Sequence, residues 1–286
     1  MTDRRLLAFN GRVADIALKG QVEAERFVQP RRMMLAKDAW LRRAPEGPID
    51  RECLAGDPFD VIEDRGGHVF GRGAKDGYVG WLPSDALTDP VVPTHRIAVR
   101  TTWAYRAPDF KTEPVRAFHM TSRVTVSDET RGWAAISDGA LFLPLRHLAP
   151  LEGTADPVAA ARAFLGTPYV WAGNSGFGID CSGLVQVAHH AAGRACPPDS
   201  DLQERMPGQA LDGAHSLQPG DLIFWKGHVA MATGADTLIH ANAHHMAVTE
   251  EPVATALARI AATDTGAATL FLRPEPGLLL FDNTPG

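Results

Sequence analysis

A chain of 286 residues exceeds the usual size of one domain, so two or three compact units are expected. Hydrophobic residues make up 45% and charged residues 22%, the balance of a globular protein rather than a disordered one. The formal net charge of -6 excludes the basic footprint of a nucleic-acid binder and argues against electrostatic adhesion to an anionic wall or membrane.

The opening stretch, MTDRRLLAFNGRVADIALKG, holds no apolar core of secretory-signal length, because Arg12, Asp15 and Lys19 interrupt it. No stretch approaches the roughly 20 apolar residues of a membrane span. Cysteines Cys53, Cys181 and Cys196 are odd in number and lack CxxC spacing, which indicates neither a disulfide framework nor a zinc site. The expectation is a cytoplasmic protein with reduced thiols.

Residues 4–17 place Leu7, Val13, Ile16 and Ala17 at the apolar positions of a short amphipathic helix, so 1–24 is read as an N-terminal helical segment. The character changes over 25–90. Short alternating runs at 59–63, 68–71 and 78–82 are divided by Gly- and Asp-rich turns, the pattern of a small all-β barrel. Its ending, DGYVGWLPSDAL, resembles bacterial SH3-like domains. Residues 91–151 repeat the build: IAVRTTWAYRAP, RVTVSDETRGWAAIS and ALFLPLRHL echo AKDAWLRRAP, DVIEDRGGHVFGR and YVGWLPSDAL. Two SH3-like barrels in tandem are expected.

Residues 150–157 then read as a linker into a third unit, 152–286. AAARAFLG is its first helix, with Asp156 as N-cap, Pro157 at the first helical position and Gly166 closing it. PYVWAGNSGFGIDCSGL, residues 168–184, follows. Gly173, Gly176 and Gly178 argue for a loop, and LVQVAHHAAG for a helix capped by Gly193. Cys181 should therefore sit where a loop turns into a helix N-terminus. The helix dipole and free N–H groups there favour a thiolate and offer an oxyanion hole. Taken alone, the same residues describe equally well a small buried Cys before a helix.

Three strand-like runs come next, 221–225, 228–232 and 237–241, separated by Lys-Gly and Gly-Ala-Asp turns. A hairpin centred near Gly234 sets His228 and His240 opposite each other or within one residue of it. On one face of the hairpin, one imidazole can bond the other and fix its tautomer. A Cys, a base and an orienter make up the logic of an activated nucleophile. The adjacent pairs His189–His190 and His244–His245 do not share a helix face and are read as surface or packing residues.

PYVWAGNSGFGIDCSGL, GDLIFW…GHVAMATG and LIHAN together resemble the NlpC-type papain-like cysteine peptidases of cell-wall peptides, over roughly residues 156–273. The resemblance implies an α+β fold, with a papain-like catalytic domain preceded by two all-β SH3-like barrels. It implies Cys181 as nucleophile, His228 as general base, His240 as the residue that orients it, and Tyr169 as an aid to the oxyanion. The segment PPDSDLQ, 197–203, is similar to the family's Arg-Asp-containing loop, with Pro198 where Arg is usual. In similar recycling peptidases the first barrel narrows the cleft around a substrate with a free N-terminal L-Ala. By that likeness Asp180, Ser182, Ser200, Tyr78 and Trp171 would bind substrate. Helix capping for Asp180, barrel packing for Tyr78 and core packing for Trp171 remain alternatives, and Asp57 and Glu63 are further candidates to face the amine.

The implied reaction is hydrolysis of the γ-D-glutamyl–L-diamino acid bond of murein peptides, with meso-diaminopimelate as the diamino acid, in cell-wall peptide recycling. It needs no metal or organic cofactor. Its partner is a small peptide, with no nucleic acid, membrane or obligatory protein partner. An exported wall hydrolase with an open cleft, an amidase or acyltransferase of the same fold, and a binding protein with a vestigial peptidase domain stay open.

Overall fold

The computed structural model describes residues 3–137, 139–152 and 155–275. The positions at the linker (Gly153 and Thr154), and the end of the 152–286 unit beyond residue 275, lie outside the described residues. The chain forms two compact units. Met1–Ile97, Thr102–Phe118 and Ser122–Leu148 make one, while Ala98–Thr101, His119–Thr121 and the chain from Ala149 onward make the other.

In the first unit, the expected N-terminal helix is absent. Val13–Asp15 is a strand paired in parallel with Arg26–Val28, followed by a single 3-10 turn at Ile16–Leu18. Asn10 explains the difference. Its Oδ1 accepts the N–H groups of Arg12 (3.0 Å) and Val13 (2.8 Å), and Gly11 takes φ +90°. This side-chain turn breaks any helix at the Asn-Gly step.

A seven-stranded sheet follows, in the order Ile49–Cys53, Ala39–Arg42, Val79–Pro83, His68–Gly73, Pro58–Arg65, Arg31–Leu35, Leu87–Thr88. Its inward residues, among them Leu35, Leu41, Phe59, Val69 and Leu82, form one apolar core. The close crossing of Pro58–Arg65 and His68–Gly73 needs a glycine. A Cβ on Gly71 would stand 2.2 Å from the Asp60 carbonyl oxygen.

Further along, Pro114–His119, Thr101–Tyr105, Leu141–Pro144, Trp133–Ile136 and Val126–Thr130 form a five-stranded sheet. Its end repeats the first: a strand ending in Pro144, a 3-10 turn at Leu145–His147 and a short strand, matching Val79–Pro83, Ser84–Ala86 and Leu87–Thr88.

The second unit is built on a six-stranded antiparallel sheet, ordered Gly208–Ala210, Leu270–Pro274, Leu222–Trp225, His228–Ala232, Thr237–Asn242, Ala247–Pro252. Both faces are covered, so its central strands are apolar nearly throughout. On one face Leu222, Phe224, Val229, Met231, Ile239 and Ala241 pack with helices α1 (Pro157–Arg162) and α2 (Cys181–Ala191). On the other, Ile223, Trp225, Ala230 and Leu238 pack with α4 (Val253–Ala261), which follows a short α3 (Ser200–Gln203) in chain order. Asp156 caps α1 as expected, accepting Val158 N–H at 3.0 Å, and Gly193, at φ +72°, follows the end of α2. Asp221 ties the sheet together by accepting two hydrogen bonds from the Arg273 guanidinium, at 2.9 and 2.8 Å.

His189 and His190 are buried in α2, whereas His244 and His245 are exposed. Burial pushes His189, and His119 likewise, down to about 4. A histidine whose native pKa is depressed binds its proton first in the unfolded chain. Its stabilisation is therefore complete above the ordinary value near 6.5 and is lost as pH falls from there toward 4. The unfolding free energy from urea denaturation should fall between pH 7 and pH 5, by up to about 1.4 kcal/mol per pH unit for each such group. A His189→Gln variant should show a shallower fall, and an identical slope would refute the assignment.

Candidate active site

The candidate nucleophile is set by one carboxylate. Asp180 precedes α2 and its Oδ1 accepts Gly183 N–H at 2.7 Å and Ser182 Oγ–H at 3.1 Å, an N-cap by geometry. Its Oδ2 accepts Ala172 N–H at 2.9 Å, from the loop before the helix. That loop is not wholly irregular, since Asn174–Ser175 and Gly178–Ile179 pair as a two-stranded ladder between the glycines. Ala172 sits at φ +67°, a region glycine occupies without penalty, so the loop carries strain.

Cys181 is thereby the first residue of α2. The N–H groups of Val229, Ser182 and Cys181 itself bond the thiol sulfur and favour its thiolate. Burial acts in the opposite direction and wins, with the Asp180 charge adding to it, and the thiol is pushed up to about 12. The helix-end argument for a resting thiolate therefore fails here. Three N–H dipoles do not offset removal of the anion from water.

His228 and His240 do not face each other directly. The paired residues are Met231 with Ile239 and Ala232 with Leu238, which leaves His228 two positions out of register with His240. They are diagonal neighbours on one face of the sheet, still within reach of aromatic side chains. His228 Nε2 and His240 Nδ1 lie 2.9 Å apart. The Trp225 ring, tilted and 5.5 Å from the His228 ring, helps to desolvate it. Desolvation, then His240 and Arg259, pushes His228 down to about 3. His240 is fully buried and is pushed down to about 3 by burial and then by Arg259, His245 and His244. The thiol and both imidazoles are thus held in their neutral forms.

Two residues that sequence reading missed complete the chain of contacts. Glu251 Oε1 lies 2.7 Å from His240 Nε2, and Arg259 of α4 forms an ion pair with the same oxygen. Register offered a signal. His240 pairs with Thr249 in the neighbouring strand, so Glu251, two residues on, shares its face.

The remaining candidates divide. Tyr169 is half-buried, bridged to Ile179, and its hydroxyl pKa is raised by burial and by the charges of Cys181 and Asp180, which places it beside the thiol. Trp171 is 65% exposed and is not the core residue that its neighbours suggested. Ser182 is buried with its hydroxyl on Asp180, and its carbonyl accepts Gln203 Nε2–H at 2.9 Å. Ser200 opens α3, after Asp199 at φ +58°. Tyr78 belongs to the first unit, where it is buried in the barrel core, with the Arg51 guanidinium 5.9 Å above its ring. Asp57 and Glu63 do not present free carboxylates. Lys75 bonds Asp57 at 2.6 Å, and Arg12 pairs with Glu63. Cys53 and Cys196 are buried and form no disulfide, and burial pushes Cys53 up to about 12.

Comparison with known proteins agrees with this geometry. The NlpC/P60 family profile matches residues 166–261, and that of the bacterial dipeptidyl-peptidase SH3 domain matches residues 41–87. A γ-D-glutamyl-L-lysine dipeptidyl-peptidase of Bacillus cereus is 30% identical over 244 residues, 73% of this chain and 71% of that protein. The enzyme of the same name from Bacillus subtilis is 29% identical, over 71% of this chain and 75% of its own. A crystal structure of an NlpC/P60 family protein from Bacillus cereus superposes with a TM-score of 0.71 at 23% identity, covering 85% of this chain and 99% of that one.

The Asp180 clamp leaves no room at Gly183. A Cβ there would stand 2.5 Å from the Gly173 carbonyl oxygen and 2.6 Å from Asn174 Oδ1. Gly183→Ala should cost about 1–3 kcal/mol in urea denaturation, as overpacking does, and should slow alkylation of Cys181. An unchanged midpoint would show that the loop yields freely.

Proposed function

The chain belongs to the NlpC/P60 family of cysteine peptidases, and from that premise we propose that it hydrolyses the γ-D-glutamyl–L-diamino acid bond of murein peptides with a free N-terminal L-Ala. The observation that carries this reading is the 2.9 Å His228–His240 contact, together with a thiol that receives the N–H of Val229, the residue next to His228. The names of the two Bacillus relatives support the bond type, and the word dipeptidyl-peptidase, release of a dipeptide, fits a free amino end. Those names specify L-lysine, so the diamino acid proposed here, meso-diaminopimelate, has L-lysine as its competitor.

The chemistry follows from the neutral resting pair. His228 takes the Cys181 proton as the sulfur attacks the γ-carbonyl carbon, so proton transfer accompanies bond formation. The oxyanion is met by N–H groups at the start of α2 and by the Tyr169 hydroxyl, whose raised pKa keeps its proton available for donation. The imidazolium then protonates the departing amine, and water activated by His228 hydrolyses the thioester. Asp180, Ser182, Ser200 and Trp171 are proposed to contact substrate on the side of the thiol. For Asp180 this role adds to a cap that already occupies both oxygens. The proposed setting is cytoplasmic recycling of wall peptides, in keeping with three buried cysteines that form no disulfide.

The test is mass spectrometry of three peptides incubated with the protein and with Cys181→Ala. They are L-Ala-γ-D-Glu-meso-diaminopimelate, its N-acetylated form, and L-Ala-γ-D-Glu-L-Lys. Cleavage of the free peptides alone, abolished in the variant, is expected, and their relative rates assign the diamino acid. Cleavage of the acetylated peptide at equal rate would replace the recycling reading with that of an open-cleft wall hydrolase. No cleavage of any would refute the substrate class.

A further inference from the structure

We propose that Glu251, held by Arg259, is a positioning residue that sets the proton polarity of both histidines and lets His228 take the Cys181 proton. The proposal rests on Cys181 and His228 acting as read above, and reaches from His228 through His240 to the neighbouring strand, on the same face of the sheet.

The argument is one of donor and acceptor counting. An ionised carboxylate only accepts hydrogen bonds, so the 2.7 Å contact with Glu251 requires a proton on His240 Nε2. A neutral imidazole carries one N–H. His240 Nδ1 is then a lone pair, and the 2.9 Å contact with His228 Nε2 requires that nitrogen to donate. His228 Nδ1 is left unprotonated, the form a base needs. Reversing any one bond sets two lone pairs or two protons against each other. Without a carboxylate at the far end, the two rings satisfy each other in either direction, and half of those arrangements protonate the base at the wrong nitrogen.

The Glu251 charge has a second effect. When the proton crosses from Cys181 Sγ to His228 Nδ1, the imidazolium is stabilised through the chain by the carboxylate. The other charged or titratable groups facing the rings are Arg259 on α4 and His244 and His245 on the turn, all of which oppose a positive charge; Asp180 and Tyr169 face the thiol. Glu251 alone among them favours the His228 imidazolium.

The experiment is the pH profile of Cys181 alkylation by iodoacetamide between pH 5 and 10, read by mass spectrometry at that residue in the full chain. It needs no peptide substrate, so it stands apart from the assay of the preceding proposal. Two routes to thiolate contribute: proton transfer to His228, where the attraction between the two new charges offsets much of the burial that opposes each alone and gives a plateau near neutrality, and proton loss to water, which gives a rise at alkaline pH. Glu251→Gln keeps an acceptor oxygen but removes the charge. It should lower the plateau about tenfold, the worth of one pKa unit, and leave the alkaline limb in place. Glu251→Leu should remove the plateau, and lower kcat on whichever peptide is cleaved with KM little changed. A merely structural role would scale the whole profile evenly. Superimposable profiles for parent and Glu251→Gln, or a parent profile with no plateau, would overturn the proposal. Should the Leu variant not fold, the Gln variant alone decides.

Discussion

The second unit depends on the Asp180 carboxylate. It collects the Ala172 N–H from the preceding loop, and the Gly183 N–H and Ser182 hydroxyl from the first turn of α2. One anion thus joins loop to helix and fixes where the helix begins. Everything nearby follows from that point. Cys181 becomes the first helical residue, Gly183 must lack a side chain, and Ala172 is drawn into a left-handed backbone conformation. A neutral cap such as Ser has a single oxygen where Asp180 uses two, one toward the helix and one toward the loop, and the loop would lose its anchor.

Burial and reactivity oppose each other at this site. The sulfur is raised and the imidazole lowered by the same exclusion of water, so neither ionises alone at neutral pH. On the proposed mechanism, reactivity comes from transferring a proton from Cys181 to His228 rather than from a standing thiolate. A dry site strengthens every dipole that greets a developing charge.

Much of this was legible from residue order. Asp-Cys-Ser-Gly before an apolar run marked a helix start, and the turn near Gly234 brought two histidines to one face. The exact register did not follow, because hairpin loops of several residues allow more than one pairing. The N-terminal helix was misread because apolar spacing was weighed above the Asn10–Gly11 step, where a side-chain turn captures the backbone. Glu251 and Arg259 escaped notice for a different reason. Their meaning depends on which strand lies beside His240 and on a helix packed over it, and neither is local in sequence. Asp221 and Arg273, 52 residues apart, are of the same kind. The burial that reverses the helix-end effect on Cys181 is likewise a property of the assembled sheet.

The strand that carries Glu251 ends at Pro252, and α4 begins at Val253 with no loop between them. Strand and helix are one rigid piece, with the carboxylate on the first and its cationic partner on the second. The length of chain from His240 to Arg259 is therefore fixed by geometry. A single residue inserted at the strand–helix junction would rotate Arg259 by about 100° around the helix axis, away from the sheet. The turn that follows α4 carries no such demand. Insertions and fusions would be better accommodated there, beyond Ala261, than between His240 and Arg259.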